Sequence, residues 1–307
     1  MSAFLACDWG TTNLRAWVVG DDGRVLDRRE FAELGVSRLQ PGEAAKRFVE
    51  QVRPAMQAGE LPAILCGMAG STLGWAVVPY EEAPVGLERL ASRLMRVEAP
   101  GPAVRIVPGV KADGLAGAPE VMRGEETQAL GWLAQDAARK QGRHVLCHPG
   151  THAKWIILED GELRRFVTAM TGELFDVLRK HSVLKAETGP VDQAAFALGL
   201  QSAGDGDGLS SRLFTVRTRV VADGLDPRSA ASYLSGLLIG SEVASAPRLL
   251  GITDAVPVAL VGDPALCALY EAALTRRGHV VTRHDGDEAA LSGLGALHRL
   301  AEEGVCA

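Results

Sequence analysis

CDWGTTN (residues 7–13) sits between two apolar runs, FLA before it and LRAWVV after it. Its short turn holds an acid, a glycine, two threonines and an asparagine. A plain hairpin needs only Asn-Gly or Gly-X at its tip. This one carries more polar equipment than turning requires, and the mixture suits a phosphate with its metal.

The pattern recurs. Residues 4–31, FLACDWGTTNLRAWVVGDDGRVLDRREF, are echoed by residues 145–170, VLCHPGTHAKWIILEDGELRRFVTAM. Cys7, Gly10, Thr11, Trp17 and Gly23 of the first correspond to Cys147, Gly150, Thr151, Trp155 and Gly161 of the second. Each copy reads as an antiparallel meander with a Gly-Thr first turn and an Asp-Gly second turn, a strong hairpin signal. Helical periodicity follows over 42–57. PAILCGMAG (62–70) reads as a strand running into a glycine loop. The stretch 119–142 is expected to hold a long helix ending at Gly142, and further helices are expected over 171–184 and 229–246. VPVALVGDPALCALYEAALTRRG (256–278) reads strand, glycine turn, helix; then come a strand HVVTR and a final helix over about 287–303. The domains are expected to be 1–142 and 143–307, with the final helix packing back on the first.

Length and composition agree with two domains around a cleft. The chain has 307 residues, 47% of them hydrophobic, and a formal charge of −6 with no basic run. That balance argues against a nucleic-acid binder. No apolar stretch approaches the roughly 20 residues of a membrane span, and MSAFLACDW reads as a first strand and not a signal peptide. A cytoplasmic monomer or homodimer is expected. The five cysteines, Cys7, Cys66, Cys147, Cys267 and Cys306, form no C-x-x-C pair, which argues against structural zinc and a disulfide framework.

Two Gly-Thr loops at the base of two similar domains would grip a polyphosphate from both sides. Glycine lets peptide N–H groups approach the anion, and Thr11, Thr12, Asn13, Thr151 and His152 line the loops at Gly10 and Gly150. Asp8 offers a hard oxygen for Mg²⁺. Lys154 can place a cation on a transferring phosphate; the plainer alternative is a strand-edge lysine in solvent.

DWGTTNLRAW and HPGTHAKW resemble the two phosphate motifs of the actin, hexokinase and Hsp70 ATPase superfamily. VALVGDPALCALY resembles its adenosine motif, with Gly262 at the strand-to-helix turn and one glycine where two are common. More narrowly, DWGTTNLRAW, CGMAGSTLGWAVVPY, MRGEETQALG, PGTHAKW and MTGELFDVLRKHSVL together resemble the 2-dehydro-3-deoxygalactonokinase family, from residue 4 to about residue 300. The resemblance implies an α/β, two-domain actin-like (ribonuclease H-like) fold with duplicated βββαβα cores around an ATP cleft. It also implies ATP and Mg²⁺ as cofactors and phosphorylation of 2-keto-3-deoxygalactonate at its 6-hydroxyl.

Such chemistry needs a carboxylate at the attacking hydroxyl. RGEETQALG supplies Glu125 and Glu126 where a helix begins, and a helix N-terminus favours carboxylates. The plainer reading is that both acids only favour the first turn. The choice between them is open, with a lean to Glu126. GMAGSTLGWAVVPY can wrap a hydroxylated substrate through Ser71, Trp75 and Tyr80, although Trp75 could equally belong to the core. Arg123, beside the Glu pair, is a candidate partner for the substrate carboxylate, which a guanidinium matches bidentately. Arg15 is a second candidate that could instead pair with an acid. GDGDG (204–208) mimics part of a calcium loop, but counting from Asp205 the twelfth position is Val216, not Glu. His148 and His152 lack an evident third metal ligand. A phosphohydrolase on the same fold is the main rival, and it would not need the GMAGSTLGW loop. A non-enzymatic ATP binder would bring assembly insertions or a DNA-binding segment, and neither is seen.

Overall fold

The computed structural model describes residues 3–252 and 256–304, so Cys306 lies outside the described residues. β1 (Phe4–Trp9), β2 (Leu14–Val19) and β3 (Val25–Phe31) form the first antiparallel meander. β1 is buried at every position, as an almost continuous apolar run should be in a central strand. β3, with VLDRREF, is largely exposed at the sheet edge, where charge discourages pairing with other chains. β4 (Ala63–Gly67) then pairs in parallel with β1. β6 (Met95–Val97) and β7 (Val104–Ile106) complete the order β3-β2-β1-β4-β7-β6. The sequence reading contains no counterpart of the small sheet made by β5 (Glu81–Glu82), β8 (Val110–Asp113) and β9 (Pro119–Met122).

The second half repeats the scheme. β10 (Arg143–His148), β11 (Ala153–Glu159) and β12 (Glu162–Ala169) form the meander, and β13 (Val258–Gly262) lies parallel to β10. β14 (Val281–Asp285) extends the order to β12-β11-β10-β13-β14. Both distal turns place a glycine at positive φ, Gly23 at 81° and Gly161 at 85°, where a side chain would be strained. A meander with a parallel strand added beside its first strand, present twice, is the duplicated actin-like ATPase fold.

The chain separates into two compact units. One runs to Arg143 and takes in Leu158–Arg165 and the segment from Gly286; the other comprises His144–Ile157 and Phe166–Asp285. In the first unit the final helix, Gly286–Glu302, packs on the helix Glu125–Ala134 through two glycines. A Cβ at Gly131 would come within 2.0 Å of Ala289 O, and one at Gly293 within 2.2 Å of Thr127 O. Each unit has its own core, Trp9, Leu14, Phe48 and Leu65 in the first, and Trp155, Leu260 and Tyr270 in the second. The four described cysteines are buried free thiols.

The long helix expected to end at Gly142 is shorter than that. It stops at Ala134, and Asp136, in extended backbone, accepts the N–H of Ala138 and starts a separate 3₁₀ turn, Ala137–Lys140. A short polar side chain that can bond nearby backbone competes with helix continuation. Among the described residues no helix is long and apolar enough to cross a membrane.

Candidate active site

Asp8 and the first Gly-Thr loop occupy the end of β1. The loop closes with Gly10 N–H donating to Asn13 O at 2.8 Å. Its carbonyls are tied back by Val36 N–H to Gly10 O and by Ser37, whose N–H and hydroxyl both donate to Thr11 O. Gly35 permits this backing, since a Cβ there would fall 2.1 Å from the Thr12 carbonyl carbon. With the carbonyls occupied behind, Thr11 and Thr12 are left exposed at the loop's outer face. Asn13, expected as a nucleotide ligand, instead donates its amide to Glu30 Oε1 at 2.6 Å and pins the loop to β3.

Asp8 is buried. Its Oδ2 receives Arg15 Nη2 at 2.5 Å and Gln128 Nε2 at 3.4 Å. Arg15 also pairs with Asp287 at the start of the final helix, and Arg28 pairs with Asp287 as well. The expectation that Arg15 meets substrate is therefore corrected, because two carboxylates already hold its guanidinium. Asp8 Oδ1 faces the tip of β4, where a Cβ on Gly67 would stand 3.1 Å away. A buried carboxylate is the kind of hard oxygen donor that Mg²⁺ takes, one or two at a time, completing its shell with phosphates and water.

Gly124 begins the acid-bearing helix. Its φ of 115° and lack of a side chain bring it against Gly67, whose Cα would be 3.2 Å from an added Cβ. The two acids then part. Glu126 is fully enclosed; its Oε2 accepts Gly124 N–H at 2.7 Å and its Oε1 accepts the Thr127 hydroxyl at 2.9 Å. Burial, and secondarily the neighbouring Glu125 charge, push its carboxyl up to about 8 against the pull of those donors. Glu125 is partly exposed, with Oε2 accepting Arg123 N–H at 3.1 Å. Of the two acids, Glu125 is the one open to an approaching hydroxyl, and Glu126 is the one whose carboxyl burial shifts.

Arg123 lies 4.3 Å over the Tyr80 ring and donates from Nη2 to Val78 O at 2.7 Å. Its Nε and Nη1 are out of water and have no acceptor. Gly70 makes room for the guanidinium, since a Cβ there would come 2.7 Å from Nη1. Tyr80 remains exposed on its outer side. The Trp75 ring is partly buried and packs 5.3 Å from Phe48 against the first core, the alternative the sequence also offered. Ser71 shapes its own loop, donating to Met68 O at 2.8 Å and accepting Leu73 N–H.

The second Gly-Thr loop joins β10 to β11. Thr151 and His152 are exposed; Thr151 O accepts Glu173 N–H at 3.0 Å, and His152 pairs with the Glu173 carboxylate. The helix Thr171–His181 starts flush against the loop, since a Cβ on Gly172 would sit 2.5 Å from Gly150 O. Lys154 is buried and not a solvated edge residue; its Nζ donates to Thr168 Oγ1 at 2.8 Å. Gly262 closes β13 beside Pro149, and Asp263 then caps the helix Pro264–Arg276 by accepting Leu266 N–H at 2.9 Å. Elsewhere in this unit Asp205 and Asp207 pair with Arg277 and Arg248. Among the described residues no group of three or more His, Cys, Asp or Glu is arranged to hold a metal.

Gln128, Asp287 and Gly172, which touch Asp8, Arg15 and the second loop, are not singled out by the sequence.

A duplicated ATPase fold with a Gly-Thr loop in each half and an acid-headed helix suits a phosphotransferase of the sugar-kinase class. The family model described as 2-keto-3-deoxy-galactonokinase matches residues 8–297. A probable 2-dehydro-3-deoxygalactonokinase of Rhizobium meliloti is 38% identical over 303 residues, covering 96% of each chain. The 2-dehydro-3-deoxygalactonokinase of Escherichia coli is 35% identical over 298 residues, covering 96% of this chain and 97% of its own. A Sinorhizobium meliloti crystal structure assigned the same activity has a TM-score of 0.85 at 38% identity, covering 96% of this chain and 98% of that one. The chain belongs to the 2-dehydro-3-deoxygalactonokinase family.

Proposed function

We propose that this chain transfers the γ-phosphoryl group of ATP to the 6-hydroxyl of 2-keto-3-deoxygalactonate in the cytoplasm. The observation that carries the sugar-acid reading is Arg123. A guanidinium with two enclosed, unsatisfied donors stands two residues before an accessible carboxylate. A buried charge without a partner is costly, and a substrate carboxylate reaching it past the exposed Tyr80 would relieve that cost. A phosphohydrolase has no use for this arrangement.

In this reading the first unit carries the sugar-acid site and the first phosphate loop, and the second unit carries the other phosphate loop and the adenosine turn. Glu125 takes the proton of the attacking hydroxyl as the O–P bond forms. Glu126 stays enclosed and fixes the start of the helix. Exposed Thr11, Thr12 and Thr151 donate to phosphate oxygens, and Lys154 adds positive charge beside the second loop. Asp8 would hold Mg²⁺, which when bound offsets the negative charge on the phosphates.

A coupled ADP-release assay over a panel of sugar acids and neutral sugars tests this. Expected are rapid ADP release with 2-keto-3-deoxygalactonate, far less with glucose, and no sustained phosphate release without an acceptor. Glucose used as efficiently as the keto acid would overturn the sugar-acid assignment, and steady acceptor-free phosphate release would favour the hydrolase. Comparing the keto acids epimeric at C4 would fix the stereochemical preference.

A further inference from the structure

Glu242 is a buried acid that the chemistry above does not use. It lies on the helix Ala230–Leu249 and is only 5% exposed. Trp155 Nε1–H donates to its Oε1 and the Tyr270 hydroxyl donates to its Oε2, each at 2.7 Å. The Thr171 hydroxyl is a third hydrogen-bond partner. Burial pushes the carboxyl above its ordinary range, and these three partners pull against that shift.

The three partners come from the three elements that frame the second phosphate loop. Trp155 belongs to β11, the strand leaving the loop. Thr171 is the first residue of the helix that abuts the loop through Gly172 and Glu173 N–H. Tyr270 is on the helix that follows the Gly262 turn, which itself lies against Pro149 at the loop's start. One carboxyl thus joins loop exit, loop backing and the helix after the Gly262 turn, and both of its oxygens are held by these partners. Removing it would leave an indole N–H and two hydroxyls without their shared acceptor, so these elements would be free to shift against one another.

We propose that Glu242 is a positioning residue for the second phosphate loop, setting nucleotide affinity without touching the nucleotide. This rests on the reading that the loop at Gly150 and the turn at Gly262 bind ATP. The test is calorimetric binding of ADP and of adenosine to the full chain, with KM measured separately for ATP and for the keto acid. Four variants are compared: Glu242→Ala, Glu242→Gln, Thr171→Val and Gly172→Ala.

Thr171→Val, which removes one hydrogen bond to an ionisable group, should weaken ADP about tenfold, and Glu242→Ala, which removes all three, at least as much; both should raise KM for ATP in step. Adenosine affinity should fall less than ADP affinity, and KM for the keto acid should stay within about twofold. Glu242→Gln, which can still accept from Trp155, should recover much of the loss. Gly172→Ala displaces the loop directly and should weaken ADP whatever Glu242 does. If Gly172→Ala weakens ADP while folded Glu242→Ala and Thr171→Val bind it normally, the proposal is overturned and nucleotide binding at the loop stands. If the unmutated chain fails to bind ADP, or Gly172→Ala leaves its affinity unchanged, the underlying reading falls and the proposal with it. Should Glu242→Ala fail to fold, Thr171→Val, which removes a single hydroxyl, decides the matter.

Discussion

Replacing Glu126 with glutamine should make the protein more stable than its parent at alkaline pH and remove part of its pH dependence. The carboxyl moves from an ordinary 4.5 to about 8 because burial penalises its charged form. The folded chain therefore keeps this proton over a range where the unfolded chain has released it, and stability falls as pH rises through that range. Its stabilising contribution is complete below about 4.5 and exhausted above about 8. At 1.36 kcal/mol per pH unit the full span corresponds to roughly 5 kcal/mol, of which about 2–3 kcal/mol falls between pH 6 and pH 8.5. Glutamine has nearly the shape of the protonated acid and can meet both Gly124 N–H and the Thr127 hydroxyl, but it does not titrate. Melting curves of parent and variant across that interval should diverge in favour of the variant by about 5–10 °C, at 2–4 °C per kcal/mol for a unit of this size. Chemical denaturation at the two pH extremes gives an independent measure. A stability difference that does not change with pH would refute the reasoning, because it would mean that Glu126 is ionised in the native state throughout.

Glu125→Gln should lower kcat by about 10²–10⁴, the range for a positioned general base, while ATP binding by calorimetry is retained; near-normal turnover would remove Glu125 from that role. Asp8→Asn should cost about 10²–10³ in kcat/KM for Mg-ATP with little change in Tm, because Arg15 keeps Asp287; unchanged turnover at limiting Mg²⁺ would exclude Asp8 as a ligand. Arg123→Met should raise KM for the keto acid about 10–100-fold and leave KM for ATP nearly unchanged, narrowing the gap to neutral sugars in competition assays; equal effects on both KM values would argue for a purely structural arginine.

What the sequence determines here is whatever depends on near neighbours in the chain. Strand alternation, Gly-Thr and Asp-Gly turns and the Asp263-Pro264 helix start are short-range signals, so both meanders, the turn at Gly262 and the acid-headed helix are legible as written. Asp136 breaking the expected long helix is a local competition that the helical pattern running to Gly142 did not show. Which side chain of a legible element is buried, paired or reachable is decided by segments far away in sequence. Adjacent residues on a helix point about 100° apart, so packing around Gly124 and Gly67 encloses Glu126 and leaves Glu125 accessible. Arg15 is taken by Asp287, 272 residues away, and Trp75 by Phe48. Glu242 meets Trp155 across 87 residues and Tyr270 across 28. Desolvation and ion pairing depend on everything that surrounds a group in space, and only the folded chain assembles those surroundings.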